Sequence, residues 1–250
     1  MTSSYLDNAQ AREMLPPGSW QKVVFAEFES QMNSEVRPFP CTFGVNGYRL
    51  NQLRYLFLDP FDVATLAEGL ARYVGEARSF GPNTSLVVFT RPGPVRSLEA
   101  YYNQFWTTLD QLARIDDADW PAEIPHSVDH PMWEFCFAGE AIFVVCNTPA
   151  HVSRQSRRSS SFMMTFQPRW VFDKILGSER AAEISFSKVR KRLIPYDSVA
   201  PSPHLGRYGN PEGREFRQYF LLDDNETKMT CPFHRLSHGK TATADEMEAA

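Results

Sequence analysis

Cysteine is scarce: four in 250 residues are too few for a disulfide scaffold, and they read as free thiols in a reducing cytoplasm. Long hydrophobic runs are missing too. The longest, Ala141 to Cys146, falls far short of the roughly 20 apolar residues that span a bilayer. The opening stretch MTSSYLDNAQAREMLPP has no basic region followed by an apolar run, so neither a signal peptide nor a membrane partner is expected. Positive charge is not in excess. With 26 Lys+Arg against 30 Asp+Glu the formal net charge is −4, which gives a nucleic-acid partner little support. The short basic cluster Lys188, Arg190, Lys191 and Arg192 reads as a solvated face near a helix C-terminus, where the dipole favours cations. Common catalytic signatures are also absent, with no GxSxG elbow, no Walker loop and no GxGxxG after a strand. Gly44-Val45-Asn46-Gly47 reads as a turn rather than a phosphate cradle.

What is present is an ordinary globular balance with many rings. Hydrophobic residues make up 42% and aromatics 13%, with 19 Phe, which suggests a bulky core and a pocket able to take a flat ligand. Residues 1–18 read as a mobile or loosely docked arm ending in Pro16-Pro17-Gly18, and the chain from Gly239 onward as a disordered tail. Between them, residues 19–238 form one domain. A helix is expected from Trp20 to Met32, with Trp20, Val23, Val24 and Phe28 on its inner stripe. Tyr55–Leu58 and Leu86–Phe89 read as strands flanking a helix capped by Asp62. Ser97 caps a second amphipathic helix that ends before Asp116. Trp133–Phe137 and Ala141–Cys146 read as a β-hairpin, and Phe162–Phe166 as a further strand. Pro168 fits the first position of a short helix, Ser178 a cap for the next, and Phe216–Leu222 a last strand. The expected fold class is α+β, a single domain with a mixed, largely antiparallel sheet packed by amphipathic helices.

Several residues could carry chemistry. His151 follows the apolar strand ending at Cys146, on a loop leaving the sheet, where a neutral imidazole could ligate iron. Arg154, Arg157 and Arg158 come next, and Arg169 after the following strand. Their guanidinium forks could hold haem propionates or the carboxylate of an amino acid, or they could be surface charge. Glu134, inside an apolar run, needs a partner or a wet cavity; a cationic substrate and an arginine of the cluster are equal candidates. Cys231 with His234 and His238 resembles part of a zinc site, but no second close pair lies nearby. Cys41, Cys136 and Cys146 read first as small buried hydrophobes.

Seven blocks in order resemble the YqcI/YcgG-like family. They are Pro38-Phe-Pro-Cys-Thr-Phe-Gly44, Asp129-His-Pro-Met-Trp-Glu-Phe-Cys-Phe-Ala-Gly139, Asn147-Thr-Pro-Ala-His151, Phe162-Met-Met-Thr-Phe-Gln-Pro-Arg169, His204-Leu-Gly-Arg-Tyr-Gly209, Gln218-Tyr-Phe-Leu-Leu-Asp-Asp-Asn225 and Cys231-Pro-Phe233. The resemblance implies a haem-dependent N-oxygenase. Members make N-hydroxyarginine in D-cycloserine biosynthesis and N-hydroxylate a cyclic guanidine in guanitoxin biosynthesis, and oxidation of 2-aminoimidazole belongs to the same circle of reactions. It further implies haem b with its iron, O2, an electron-donor reductase and a guanidine or amine substrate in a cytoplasmic enzyme; a homodimer is left open. Carried onto this chain, the Asn147–His151 block supplies His151 as the metal ligand, with Cys41 as the thiolate alternative and His204 as a further one. Arg154, Arg157 and Arg169 would bind the cofactor or a substrate carboxylate, and Glu134, Asp223 or Asp224 a guanidinium. A non-catalytic haem-binding or haem-sensing protein is the competing expectation, and a cofactor-free interaction domain the third.

Overall fold

The structure is a computed structural model and describes residues 5–175 and 179–226. The order of its elements is α1 (Asn8–Met14), α2 (Trp20–Asn33), α3 (Thr42–Arg49), β1 (Leu53–Leu58), α4 (Val63–Phe80), β2 (Ser85–Thr90) and α5 (Leu98–Ile115). After these come β3 (Cys136–Phe137), β4 (Glu140–Asn147), β5 (Met163–Pro168), α6 (Trp170–Ile175), α7 (Glu179–Tyr196) and α8 (Phe216–Tyr219). The five strands form one sheet in the order β1-β2-β5-β4-β3. β1 and β2 pair in parallel across α4, and the other pairings are antiparallel. This is the α+β, mixed and largely antiparallel arrangement that the sequence leads one to expect.

Local chemistry explains most boundaries. Ser19, Asp62 and Ser97 each accept a hydrogen bond from a backbone N–H in the first turn of α2, α4 and α5, satisfying donors a helix start leaves bare. Ala138 (φ 53°) and Gly139 (φ 72°) both adopt positive φ between β3 and β4. Two positive-φ residues are what a two-residue type I′ hairpin requires.

Strand alternation then sorts side chains into two layers. Leu56, Leu58, Leu86 and Val88 pack with Leu66, Leu70, Phe105 and Leu109 of α4 and α5. On the opposite face Tyr55, Val87, Phe89 and Met163 pack against Phe25, Phe28 and Met32 of α2 and Val45 and Tyr48 of α3.

Five local expectations are corrected. Val23 is 58% exposed and Phe25 takes its place on the inner face of α2. The 44–47 stretch lies inside α3, capped by Cys41, whose Sγ accepts from the Gly44 N–H at 3.4 Å. Its glycines obscured the helix, yet Gly47 serves packing, since a Cβ there would run into the Asn83 carbonyl oxygen. Pro168 ends β5 rather than opening a helix, and Phe216–Tyr219 is a helical turn rather than a strand. The stretch before Pro16 is docked rather than loose. There α1 carries a capping box between Asp7 and Gln10, Leu6 bridges to Tyr55, and buried Asn8 donates to the Tyr48 carbonyl at 2.6 Å and accepts from the Tyr55 hydroxyl at 2.6 Å. Ser178 and the stretch from Gly239 lie outside the described residues. No helix among the described residues is long and apolar enough to cross a membrane.

Candidate functional site

The sheet face that carries Val87 and Met163 is only partly covered. α2 and α3 take its β1–β2 side, while Phe143, Val145 and Asn147 of β4 and Thr165 and Gln167 of β5 floor a cavity beneath α7. Their register is direct: Phe143 pairs with Gln167 and Val145 with Thr165. The cavity has about 1580 Å³ of empty space, part of it open to solvent, and a mostly apolar wall that includes Phe39, Phe43, Phe172 and Phe186. Cys41, Arg154, Arg157, Arg169, Glu215 and Gln218 line it as well.

The arginine cluster divides into two kinds. Arg154, only 1% exposed, donates Nε to the Leu222 carbonyl at 2.6 Å and Nη2 to the Asp224 carbonyl and to Asn225 Oδ1. Its buried Nη1 has no hydrogen-bond partner among the described residues. Arg157 is buried too, donating Nη2 to the Gln218 carbonyl at 3.2 Å. Burial, with the nearby Arg154 charge, pulls its guanidinium down to about 10. Neither arginine meets a carboxylate within ion-pair distance among the described residues. Arg158 is exposed and turns to the Pro149 and His151 carbonyls.

Arg169 is committed. Its Nε and Nη2 donate to the two oxygens of Glu134, each at 2.6 Å, and Nη2 also reaches Glu215 Oε1 at 2.6 Å. The Tyr208 ring centroid lies 3.8 Å from its Cζ. Burial alone would lower the Arg169 pKa, but the two carboxylates outweigh it and raise it. Glu215 moves up as well, because burial outweighs the Arg169 charge and hydrogen bond that lower it. Of the two readings open for Glu134, pairing with an arginine is the one observed; Glu134 is 0% exposed and outside the cavity lining.

His151 stands apart from the cavity. Its Nε2 donates to the Leu221 carbonyl at 2.8 Å and its Nδ1 accepts from the Thr148 hydroxyl at 2.9 Å, the tautomer these partners dictate. Burial drags its pKa to about 4, so the ring is neutral. With both nitrogens engaged and the ring outside the lining, it has no lone pair aimed at a ligand, which counts against the expected iron ligand. Asp223 is engaged as well. Its carboxylate accepts from the backbone N–H groups of Val152, Ser153 and Arg154, which outweigh burial and lower its pKa. It thus fixes the loop carrying Arg154. Asp224 is exposed and contributes its carbonyl to Arg154. Cys41 does reach the cavity, at the start of α3. Cys136 and Cys146 are buried, and burial pushes their thiols up. No group of three or more His, Cys, Asp or Glu that could hold a metal occurs among the described residues; Cys231, His234 and His238 lie outside them.

Sequence reasoning missed Glu215, Gln218 and the floor residues Thr165 and Gln167. The period-two spacing of Thr165 and Gln167 within an apolar strand was the available signal for a polar-lined face.

The chain is 40% identical over 245 residues to YcgG of Bacillus subtilis (strain 168), covering 95% of each chain. It is 39% identical over 248 residues to YqcI of the same organism, covering 95% of this chain and 97% of that one. Both are named without an activity. A Streptomyces lavendulae protein provisionally named N(omega)-hydroxy-L-arginine synthase DcsA is 28% identical over 225 residues, 86% of this chain and 84% of that one. No solved structure matches the chain. With the YqcI/YcgG family profile matching residues 28–234, the chain belongs to the YqcI/YcgG family.

Proposed function

We propose that this chain is a haem-dependent N-oxygenase that hydroxylates a guanidine-type nitrogen, drawing on O2 and on electrons from a separate reductase. The observation that carries the reading is the pair Arg154 and Arg157, two buried guanidiniums on the wall of a large apolar cavity with no carboxylate partner among the described residues. Burying a cation costs several kcal/mol unless it is closely paired, and the Asp197 and Asp223 charges act on this pair only from beyond ion-pair distance. A ligand bearing carboxylates offsets that cost. The name of the Streptomyces lavendulae relative supports an arginine-like nitrogen as the target.

The residues present fit haem. The unpartnered Arg154 Nη1 and the lightly engaged Arg157 suit two propionates. Phe39, Phe43, Phe143 and Phe172 offer apolar surface to a macrocycle. Cys41, the cavity-lining thiol, is the ligand proposed for the iron in place of His151. When bound, haem would supply O2 activation and oxygen transfer.

Binding and orientation fall to the chain. Glu215 faces the cavity from a cluster in which two carboxylates share one arginine. An arriving guanidinium, a planar cation, would lie against this carboxyl group and gain a charge-assisted hydrogen bond. Asn147, Thr165 and Gln167 supply neutral donors and acceptors along the floor, and the phenylalanine walls lower the local dielectric, which strengthens both contacts. The test is turnover of the haem-reconstituted protein with O2 and a reductase on arginine, a cyclic guanidine and 2-aminoimidazole, read by mass spectrometry with labelled O2. Incorporation of one labelled oxygen into one of these is expected. Substrate-independent O2 consumption with no oxygenated product would contradict the reading.

A further inference from the structure

We propose that the outer face of α7 is the docking surface for an acidic one-electron carrier protein, of the ferredoxin or flavodoxin kind. This role rests on the reading that haem fills the cavity. Ser185, Phe186, Val189 and Leu193 of α7 line that cavity. Arg180, Ile184, Ser187, Lys188, Lys191 and Ile194 recur at steps of three and four residues, which places them together on the opposite face. All six are exposed.

The charged members of that face are cations only, Arg180, Lys188 and Lys191, although the chain carries a formal net charge of −4. Exposed Glu183 falls at its edge. Two further arginines of the basic run turn to backbone instead: Arg190 donates to the Leu205 carbonyl and Arg192 to the Phe39 carbonyl. Large aliphatic side chains, Ile184 and Ile194, stand exposed among the cations. More apolar surface gathers at the C-terminal end of α7. There Arg37 donates to the Tyr196 carbonyl and the Ser198 N–H to the Ser153 carbonyl, and the chain neighbours of Arg37 and Ser153, Val36 and Val152, are exposed as well. Exposed aliphatics set among charges of one sign mark an interaction surface rather than a plain solvated helix.

Such a surface suits an acidic partner face, which it steers and orients. Its position supplies the partner's task. The sheet that floors the cavity is backed by α4 and α5, whereas on the α7 side a single helix, about 10–12 Å across with its side chains, stands between a docked protein and the cavity. Electrons tunnel through that thickness of protein. One electron leaves the reduced carrier, which becomes oxidised, and the ferric iron of bound haem becomes ferrous; no atom is transferred.

The test uses the haem-reconstituted chain, the haem-free chain and the variant Lys188→Glu/Lys191→Glu, with a plant-type ferredoxin and a flavodoxin as probes. Calorimetry at low ionic strength should show saturable one-to-one binding of at least one carrier to both forms of the wild type. Reversing the two charges, or adding about 0.5 M salt, should weaken that binding about tenfold or more. Haem uptake should be unchanged in the variant, because neither lysine lines the cavity. In stopped-flow under CO, the reduced carrier should convert the ferric variant about tenfold more slowly than the wild type, while dithionite, which needs no docking, reduces both alike. Binding to the haem-free chain judges the surface, and haem uptake judges the reading of the cavity, so each can fail without the other. The proposal is overturned by absence of carrier binding at low salt, or by undiminished binding or reduction in the folded variant. Tighter binding of phosphatidylserine–phosphatidylcholine vesicles through the same lysines, or a wild-type dimer dissolved by Ile184→Ser in sedimentation, would assign the face to another occupant and overturn it equally.

Discussion

Replacing Arg169 with methionine removes a cation from between two buried carboxylates. Glu134 is 0% exposed and Glu215 5% exposed, each within 2.6 Å of the guanidinium. At an effective dielectric of ~20, unit charges about 4 Å apart attract by ~4 kcal/mol, so the arginine offsets a large desolvation cost at both acids. Its removal leaves that cost uncompensated, and the expected destabilisation is ~3–5 kcal/mol near pH 7.5. For a chain of 250 residues that is a Tm loss of roughly 6–20 °C, at about 2–4 °C per kcal/mol. Protonation relieves the orphaned carboxylates, so the deficit should shrink at pH 5.5, where the unfolded chain binds no more protons than the variant's fold. Urea unfolding of wild type and variant at both pH values measures it. A loss below ~1 kcal/mol at pH 7.5, or one that does not shrink on acidification, would refute the buried-triad reasoning.

Other perturbations follow from the same geometry. His151, held at about 4 in the fold against 6.5 unfolded, contributes stability that is complete above pH 6.5 and lost as pH falls from 6.5 to 4, a total of ~3 kcal/mol. His151→Phe should flatten that part of the stability profile, and an unchanged slope would argue against the buried neutral ring. Gly47→Ala should cost ~1–3 kcal/mol in chemical denaturation, because the Asn83 backbone and the Leu53 side chain leave no room for a methyl. Asp223→Ala should release the three N–H groups of residues 152–154; faster hydrogen exchange there and weaker haem uptake through a loosened Arg154 are expected, with protected amides the contrary result.

Much of the fold was legible because local signals and burial agreed. The caps at Ser19, Asp62 and Ser97, the apolar stripe of α5 and the Ala138-Gly139 turn are each decided within a few residues. α3 was hidden because Gly44 and Gly47 have poor helix propensity, whereas tertiary contact with Asn83 is what selects Gly47. The Phe216–Leu222 run is short and apolar, and periodicity cannot separate a buried strand from a helical turn at that length. The site was legible as a composition and not as an arrangement. The sequence marks Arg154, Arg157 and Arg169 as a cluster, but only the fold reveals that Glu134 and Glu215 claim Arg169 while the other two meet no carboxylate within ion-pair distance among the described residues. His151 sits on a loop, as expected of a ligand, yet the Leu221 carbonyl, 70 residues away in the chain, occupies its Nε2. Glu215 lies just before the segment expected to be a strand, Phe216–Leu222, so its place at the cavity had no sequence signal.

The most direct test of the central claim is the absorption spectrum of haem-reconstituted protein, ferric, reduced and CO-bound, for wild type, Cys41→Ala and His151→Ala. The account predicts a stoichiometric Soret band in the wild type with a thiolate-type CO complex, lost or converted in Cys41→Ala and preserved in any folded His151→Ala protein. No haem band from folded wild type, or a spectrum abolished by His151→Ala and untouched by Cys41→Ala, would contradict it.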